Sequence, residues 1–266
     1  MAQAIPVFVI NLDRRPDRRD FMARQLDGMG VEWVRIPALD AKTVSDERLA
    51  EDVALSGHLI PMGRGSQCNA CNHFTIMRHL VASGAPAALV LEDDMELSPD
   101  VTGFLRDADW LPDGAGIIRL EKWSRRASSK LLGPPIGRSP VEGRTIRKLY
   151  SRIGGSGAYI ITAGAAQRIL DGKGILRHPI DHLLFNLNIS PLAREVGVAM
   201  VLPALARQEW SGLASDISRD RKAHEKTLRD RARRGLSEIR LLPQQVAAVV
   251  FRGARLLPIE FSESTR

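Results

Sequence analysis

The sequence predicts an α/β fold in which a mainly parallel central sheet is flanked by helices. The start of the chain carries this prediction, because an apolar strand pattern at 5–12, an amphipathic helix pattern at 17–29 and a second strand pattern at 31–36 follow one another. Strand, helix and strand in this order favour two parallel strands with the helix across one face. A further strand pattern at 87–91 is apolar throughout, as expected for a strand covered on both faces.

The remaining patterns continue this alternation of helices and strands. Periodic apolar residues predict helices at 70–82, 99–108, 163–170 and 180–188. Short apolar runs predict strands at 116–120, 158–161 and 196–202. A flexible loop is expected at 63–66. Residues 121–149 hold eight Lys or Arg against two Glu, with several Gly and Pro, and predict a mobile basic loop or a hairpin.

The positive charge of the chain is concentrated near its end. The 38 Lys and Arg exceed the 31 Asp and Glu, which gives a net charge of +7. Residues 1–217 contain 26 basic and 25 acidic side chains, whereas residues 218–266 contain 12 and 6. We therefore predict a nearly neutral domain over 1–217 and a basic, helical C-terminal extension over 218–266.

The basic extension has two interpretations. It is either a solvated helix that packs on the domain, or a segment that lies on an anionic membrane surface through residues 218–261, with 241–261 as apolar anchorage. Net charge alone also suggests nucleic-acid binding. No nucleic-acid recognition motif supports that suggestion, and an aromatic content of 5% is low for a base-stacking surface.

Composition indicates a globular protein of the cytoplasm. The apolar fraction is 44% and the charged fraction 26%, and no run approaches the roughly 18 apolar residues that span a bilayer. The N-terminus lacks the basic region of a signal peptide. Cys68 and Cys71 are too few for a disulfide scaffold, and no second ligand pair at zinc spacing accompanies them, so we expect two buried thiols.

Three consecutive carboxylates, Glu92, Asp93 and Asp94, follow the strand predicted at 87–91. The carboxyl ends of strands are where open α/β sheets bind ligands. Alternation along a strand places Glu92 and Asp94 on one side and Asp93 on the other. Such hard oxygen ligands suit Mg²⁺ or Mn²⁺ held together with a substrate diphosphate. The alternative is a solvated acidic loop.

An arginine-rich turn follows the first predicted strand, where Asn11 is succeeded by Arg14, Arg15, Arg18 and Arg19. Guanidinium groups match the oxygens of phosphates, so this turn is a candidate clamp for a diphosphate. The alternative is a solvated helix face with Asp–Arg pairs.

These features form part of a longer series of short motifs, in the order Val9-Ile10-Asn11-Leu12 with Arg14, Arg18 and Arg19; Gly65 and His73; Leu91-Glu92-Asp93-Asp94; Gly157-Ala158-Tyr159-Ile160-Ile161; Pro179-Ile180-Asp181; and Pro203, Gln208 and Ser215-Asp216-Ile217. In this order and spacing the sequence resembles glycosyltransferase family 25, which includes bacterial lipooligosaccharide glycosyltransferases and collagen-modifying relatives. The resemblance spans residues 5–217.

The resemblance implies a GT-A-like nucleotide-sugar-binding fold, a UDP-sugar donor, Mn²⁺ or Mg²⁺, and inversion at the anomeric carbon, with galactose as the commonest sugar. It implies Asp94 as the first metal ligand, with Asp93 or Glu92 beside it and Glu92 nearer the nucleoside. The implied donor-binding residues are Asn11, Arg14, Arg18, Arg19, His73, Glu92 and Asp93.

Inversion by single displacement needs a carboxylate base, for which Asp181 is the candidate, with an N-cap of the helix at 180–188 as the alternative. Where the family resembles Gly-Cys-x-x-Ser-His, residues 68–73 read Cys-Asn-Ala-Cys-Asn-His, which keeps His73 alone. Trp123 and Trp210 stand in polar surroundings and are candidates for stacking on a sugar or uracil ring, with core packing as the alternative.

The sequence thus predicts a cytoplasmic hexosyltransferase of surface-polysaccharide or lipooligosaccharide synthesis. Its acceptor is a hydroxyl of a saccharide or glycolipid, and the membrane interpretation of the extension makes it peripheral on the inner face. Two rivals remain: metal-dependent nucleotidyl transfer at the same carboxylates, and a nucleotide-sugar-binding protein of this fold without turnover.

Overall fold

The computed structural model describes residues 4–124, 126–209 and 241–264. Its strands are β1 (Val7–Asn11), β2 (Val34–Pro37), β3 (Ala87–Glu92), β4 (Met95–Leu97), β5 (Ile117–Arg119), β6 (Glu121–Lys122), β7 (Ser129–Pro135), β8 (Thr145–Leu149), β9 (Ala158–Thr162), β10 (Val198–Leu202), β11 (Ala206–Gln208) and β12 (Arg255–Pro258). Its helices are α1 (Pro16–Gly28), α2 (Asp46–Ala50), α3 (Arg64–Ser83), α4 (Val101–Leu105), α5 (Ala163–Gly172), α6 (Ile180–Phe185) and α7 (Pro191–Val196). Residues 241–252 are also helical.

The fold is mixed α/β, with a large central sheet flanked by helices. Nine of the described strands form this sheet in the order β12-β7-β8-β10-β5-β9-β3-β1-β2, and β4, β11 and β6 form a small second sheet. The core lies on both faces of the central sheet. Along β1, Phe8 and Ile10 pack into one apolar cluster, whereas Val7 and Val9 pack into the other.

The central sheet is mixed, so the prediction of a mainly parallel sheet was wrong. Among the described strands, β1 is parallel to β2 and β3, and β5 is parallel to β10. The other five neighbouring pairs are antiparallel, including β9, which lies between β3 and β5. An apolar run reports that a strand is covered on both faces. It does not indicate the direction of the strand, and β9 is as apolar as β3 and β5, to which it is antiparallel.

The opening strand, helix and strand are confirmed. The residues of β1 are all buried, and α1 begins with Pro16, which suits the first turn of a helix because that turn leaves its N–H groups without intrahelical partners. Met22 and Leu26 of α1 are fully buried against the sheet. The β1–β2 pairing brings Phe8 opposite Val34.

Helix α3 is longer than predicted, and the expected loop at 63–66 is wrong. Gly63 is the N-cap, the helix begins at Arg64, and it ends before Gly84, whose φ of +71° suits a glycine. Glycine and serine at 63–66 suggested a loop. The helix forms there because its first turns pack against the core, with Gln67 and Cys68 both buried. Cys68 and Cys71 are free, buried thiols, as predicted.

The chain end belongs to the central sheet. Residues 121–149 form the predicted hairpin, in which β7 pairs with β8, and β12 pairs antiparallel with the outer edge of β7. The basic extension is therefore not helical throughout, because residues 255–258 form the edge strand of the sheet. Residues 210–240, with Trp210 and the predicted boundary at 217, lie outside the described residues, so that boundary stays a prediction.

None of the helices in the described ranges combines the length and the apolar character that crossing a bilayer requires.

Candidate active site

The carboxyl ends of three strands and one loop meet at the same border of the central sheet. This edge is formed by strand ends and is distinct from the outermost strand β12. Parallel strands β1 and β3 end at Asn11 and Glu92, and β5 ends at Arg119. Antiparallel β9 lies between β3 and β5, so the loop at 153–157 that precedes it lies at the same edge. Carboxyl ends of strands are the usual place for ligands in α/β sheets.

Asp93 joins the first strand and the first helix to this edge. Its Oδ2 accepts a hydrogen bond from Asn11 Nδ2 at 2.7 Å, and its Oδ1 accepts one from Arg18 at 2.8 Å. Arg18 is 6% exposed, so this ion pair is buried. Burial raises the pKa of Asp93, while Arg18 and Asn11 oppose that shift by stabilising the charged form.

Asp94 is the carboxylate with an unmet hydrogen-bonding capacity. Gln208 Nε2 donates to its Oδ2 at 2.9 Å, and Arg18 Nη1 lies 3.5 Å from the same oxygen. Its Oδ1 is buried and has no hydrogen-bond partner among the described residues. Burial, together with the negative charge of Glu92, raises the pKa of Asp94 to about 6. An unpaired buried carboxylate oxygen is costly unless a cation or donor meets it.

The alternation predicted for the three carboxylates is wrong in detail. Strand β3 ends at Glu92, and Asp93 and Asp94 form a turn, so the strand periodicity stops before them. Asp93 and Asp94 therefore share Arg18, while Glu92 points to the α3 side of the sheet, where it contacts Asn69.

Glu92 is held by several donors. Its Oε1 accepts from Ser156 Oγ at 2.7 Å and from Asn69 Nδ2 at 3.2 Å, and His73 Nε2 lies 3.5 Å away. Although burial opposes ionisation, His73, Ser156 and Asn69 lower the pKa of Glu92 to about 2. Glu92 is therefore ionised at neutral pH.

His73 lies behind Glu92 and has no exposed surface. Its Nδ1 is 2.8 Å from the hydroxyl of Tyr159, and the two rings stack. Its Nε2 lies 3.5 Å from Glu92 Oε1 and has no hydrogen-bond partner among the described residues. His73 thus lies one layer below the strand ends, beside Glu92, and its donor-binding role stays a prediction.

A glycine-rich loop, residues 154–157, crosses the edge between Glu92 and α6. Arg119 donates to the carbonyls of Gly154 and Gly155 at 2.6 Å each, and Gly157 N donates to Glu121 at 3.0 Å. Gly155 has a φ of +81°, and a Cβ there would lie 2.1 Å from Trp123 Cδ1. A side chain is therefore excluded by backbone conformation and by the indole.

Arg119 and Glu121 form a buried ion pair that anchors this loop. Arg119 Nη2 donates to Glu121 Oε2 at 2.8 Å, and the guanidinium lies 4.7 Å from the ring centroid of Phe185. Burial raises the pKa of Glu121 to about 7, although Arg119 opposes that shift. Burial also lowers the pKa of Arg119.

Asp181, the predicted base, contacts the same glycine-rich loop as Glu92. It is in the first turn of α6, is 8% exposed, and its Oδ2 accepts from Gly155 N at 3.2 Å. The N-cap of α6 is Pro179, so the alternative interpretation of Asp181 as the N-cap does not hold.

Among the arginines of the predicted clamp, Arg18 contacts the carboxylates. Arg14 pairs with Asp40 at 2.7 Å and Arg19 pairs with its neighbour Asp20 at 2.9 Å in exposed positions. Helix α1 turns Arg18 toward the sheet and Arg19, one residue on, toward solvent.

The sequence profile of one known family spans most of the residues of this candidate site. The sequence profile of "Glycosyltransferase family 25 (LPS biosynthesis protein)" matches residues 4–184, more than half of the chain. The chain belongs to glycosyltransferase family 25. The matched span contains the carboxylates 92–94, the glycine-rich loop and Asp181, while Gln208 lies beyond it.

Relatives within family 25 include bacterial proteins of similar length. The chain is 29% identical to "Lacto-N-neotetraose biosynthesis glycosyltransferase LgtB" of Neisseria gonorrhoeae, over 82% of each chain. It is 31% identical to LgtB of Neisseria meningitidis serogroup A, over 83% of this chain and 84% of that one. A "Glycosyltransferase 25 family member" of Drosophila melanogaster is 37% identical over 35% of this chain and 16% of its own length.

Among solved structures, the inositol-1-phosphate CTP transferase of T. maritima matches with a TM-score of 0.33 and 11% identity, over 82% of this chain and 95% of that one.

Several residues of this candidate site were not predicted from the sequence. Gln208 was noted as part of a motif without a role, and Asn69, Ser156, Arg119 and Glu121 were not singled out. Arg119 and Glu121 alternate with apolar residues near a strand end, which is a signal that a buried charged pair was possible. The contact between Gln208 and Asp94 joins residues far apart in sequence, and no local pattern reports it.

The carboxylates fit a divalent cation in part. Asp94 fits, because its buried Oδ1 lacks a partner in the described ranges. Asp93 does not fit as the second ligand, because Arg18 and Asn11 already hold its two oxygens. No group of three or more His, Cys, Asp or Glu side chains among the described residues is arranged to hold a metal. A cation here would therefore need oxygens from a substrate as well.

Proposed function

We propose that this family 25 member is a GT-A-like hexosyltransferase that moves a sugar, galactose as the first choice, from a UDP-sugar to a hydroxyl of a saccharide or glycolipid. One observation carries the proposal: Asp94 keeps a buried carboxylate oxygen without a partner among the described residues, beside a firmly ionised Glu92 at a strand edge. Such a site favours a cation and the diphosphate that accompanies it.

We propose Mn²⁺ or Mg²⁺ at Asp94, with Glu92 contributing charge and the donor diphosphate completing the ligands. A divalent cation there would stabilise the negative charge that develops on the departing UDP. Asp93 acts through Arg18 and Asn11 instead, because its contacts fix the position of the turn that carries Asp94.

Glu92 is proposed to lie near the nucleoside of the donor. Its low pKa keeps it a hydrogen-bond acceptor at neutral pH, which suits sugar hydroxyls. Asn69, Ser156 and His73 fix its orientation from below. Arg14, in the turn after β1, is proposed to contact the diphosphate by exchanging Asp40 for phosphate oxygens.

Asp181 is proposed as the base that removes the proton from the acceptor hydroxyl, as inversion by single displacement requires. Asp181 and Glu92 are carboxylates that contact the same glycine-rich loop, which supports this role. Asp181→Asn keeps the size and the oxygen that accepts from Gly155 N. We therefore expect Asp181→Asn to fold normally, to keep donor binding and to lose kcat.

The acceptor is proposed to belong to lipooligosaccharide or another surface glycan. The names of the Neisseria relatives support this, since both refer to lacto-N-neotetraose biosynthesis. A cytoplasmic enzyme that is peripheral on an anionic membrane would meet a glycolipid acceptor at the surface where it is made.

The test is a donor screen that measures UDP release with and without Mn²⁺, on the wild type and on Asp94→Ala. We expect metal-dependent UDP release that Asp94→Ala lowers by about a hundredfold or more, in the range of lost transition-state charge stabilisation. Asp171→Ala is the control, because Asp171 is an exposed carboxylate of α5 bonded to Gln167. Metal-independent release that survives Asp94→Ala would contradict the proposal. Release of pyrophosphate from a nucleoside triphosphate and a sugar phosphate, without UDP release from UDP-sugars, would indicate nucleotidyl transfer.

A further inference from the structure

An exposed tryptophan, Trp123, lies at the strand-end edge that forms the candidate site. It follows β6, whose first residue, Glu121, accepts a hydrogen bond from Gly157 N of the glycine-rich loop. Trp123 is 44% exposed, and among the tryptophans and phenylalanines in the described ranges the other exposed one, Phe251, lies on the helix at 241–252. An aromatic surface beside a few convergent polar groups is typical of a site that binds a small molecule.

The backbone of the glycine-rich loop holds the indole of Trp123 in place. A Cβ on Gly154 would lie 3.4 Å from the indole Cε2, and a Cβ on Gly155 would lie 2.1 Å from its Cδ1. The indole therefore packs this closely only because Gly155 has no side chain. Part of the ring rests on the loop and the rest faces solvent, so the aromatic surface is oriented before any ligand binds, which lowers the entropic cost of binding.

The same loop connects the indole to the proposed base. Asp181 Oδ2 accepts a hydrogen bond from Gly155 N at 3.2 Å, and Gly155 is also the residue against which the indole packs. Trp123 and Asp181 therefore contact one and the same residue. A ligand that covered the exposed part of the indole would have its polar groups close to the carboxylate of Asp181.

A saccharide has the chemistry that such a surface recognises. A pyranose ring has an apolar face formed by its C–H groups, and hydroxyl groups along its rim. Stacking that face on an indole removes apolar surface of both rings from water, while the hydroxyls remain free to bond to polar groups beside the indole. A flat apolar surface next to a carboxylate therefore suits a sugar ring that presents a hydroxyl to that carboxylate.

We propose that Trp123 is a specificity-determining residue that binds the acceptor saccharide, with the C–H face of a pyranose ring stacked on the indole and the reactive hydroxyl directed to Asp181. The uracil of the donor is a poorer occupant, because Glu92, which is proposed to lie near the nucleoside, contacts Ser156 and not Gly155. This inference deepens the proposed function, and it rests on that function for the saccharide acceptor and for Asp181 as the base.

The first test is saccharide binding by the full chain, measured by tryptophan fluorescence. The probes are the methyl β-glycosides of glucose, galactose, mannose and N-acetylglucosamine, each titrated with and without UDP and Mn²⁺. We expect at least one glycoside to change the emission of the wild type, because stacking removes the exposed part of an indole from water. The change should be lost in Trp123→Phe and kept in the control Trp33→Phe, since the Trp33 indole is engaged by Asp27.

The second test separates KM from kcat, with the same glycosides as acceptors and UDP release as the signal. Trp123→Ala should raise KM for the saccharide by about tenfold and change KM for the UDP-sugar by less than about twofold, as expected for a stacking contact made by the acceptor alone. Trp123→Phe keeps a flat ring and should recover most of the lost affinity. Circular dichroism checks that each variant is folded.

An unchanged emission of the wild type with all four glycosides, or an equal change in Trp123→Phe, would overturn the proposal. A larger rise in KM for the UDP-sugar than for the saccharide would assign the indole to the uracil and also overturn it. A fall in kcat with both KM values unchanged would mean that Trp123 only supports the loop, against the proposal. Because the fluorescence titration needs no turnover, its failure is distinct from failure of the proposed transferase activity.

Discussion

Asp94 combines a cost to folding with a proposed role in the reaction. Its carboxylate is 5% exposed, one oxygen has no partner among the described residues, and its pKa is raised to about 6. A raised carboxyl pKa means that the folded state binds the proton more tightly than the unfolded state, so ionisation of Asp94 lowers stability as pH rises through the interval between about 4 and 6. Residues that cost stability in this way concentrate at functional sites.

Asp94→Asn should raise stability and abolish activity. At pH 8 the wild type bears the full cost of the buried charge, so the variant should be more stable by about 1–3 kcal/mol. The gain should shrink as pH falls from 6 toward 4, where Asp94 is protonated in the folded state. Urea unfolding at both pH values measures it, with Asp171→Asn as the exposed control. A variant less stable than the wild type at pH 8 would contradict this account.

Arg18 and Arg19 offer a matched pair of neighbours. Arg18→Lys replaces a buried guanidinium that contacts both Asp93 and Asp94 with an ammonium that cannot keep the same contacts. We expect a loss of about 1–3 kcal/mol in stability and at least a tenfold fall in kcat/KM. Arg19→Lys should change neither, because Arg19 is exposed and pairs with Asp20. Thermal unfolding and UDP release measure both variants, and equal effects at the two positions would refute the assignment of Arg18.

At the scale of elements, the glycine-rich loop connects the side chains of the candidate site that come from different strands and from α6. It binds Arg119 and Glu121 from β5 and β6, Glu92 from β3, and Asp181 from α6. Trp123, which we predicted as a candidate for stacking on a sugar or uracil ring, packs its indole on Gly154 and Gly155 and remains 44% exposed. A shift of this loop would therefore move the contacts of Glu92 and Asp181 together.

Gly155→Ala should disturb this loop more than an ordinary glycine substitution. The φ of +81° and the indole of Trp123 both oppose a Cβ, so we expect a loss of about 1–3 kcal/mol in stability together with reduced kcat. Gly164→Ala is the control, because a Cβ at that helical position meets nothing within 4 Å and alanine favours a helix. Thermal unfolding should show opposite shifts, and a neutral Gly155→Ala would show that the loop is not constrained as described.

On the scale of the whole molecule, residues 255–262 complete one side of the central sheet and pack on the rest of the fold. Strand β12 covers the edge of β7, and residues after it reach the body, where Arg144 donates to the carbonyl of Ser262 at 2.9 Å and Arg207 lies over Phe261. Covering a sheet edge removes exposed backbone groups that otherwise promote aggregation. Removal of the entire segment from residue 218 onward would therefore expose this edge.

Substitutions of Leu256 and Leu257 test whether β12 pairs with β7 in solution. Leu257 packs against the main apolar cluster, whereas Leu256 on the opposite face is 71% exposed. Leu257→Ser should lower stability by about 1–2 kcal/mol, and Leu256→Ser should leave it within experimental error. Urea unfolding of the two variants decides this, and equal effects would mean that β12 does not pair with the sheet as described.

Much of the fold, and the position of the three carboxylates at a strand end, could be predicted from local patterns. The strand at 87–91 followed by three carboxylates, the opening strand and helix, and the hairpin within 121–149 all appear in the structure. Local patterns succeed there because apolar periodicity reports burial over a few neighbouring residues. They fail for the direction of β9, for the start of α3 and for the strand at 255–258, because each of these depends on partners distant in sequence.

The sequence by itself determined the family, the α/β class and the place of Glu92, Asp93 and Asp94 at a strand end. Only the tertiary structure decided how those three carboxylates differ: Asp93 pairs with Arg18 and accepts from Asn11, Glu92 is fixed by donors from α3 and the glycine-rich loop, and Asp94 keeps an unpartnered oxygen within the described residues. The physical reason is that the ionisation of a carboxylate depends on its burial and on the charges and donors beside it, and these come from segments far apart in the chain.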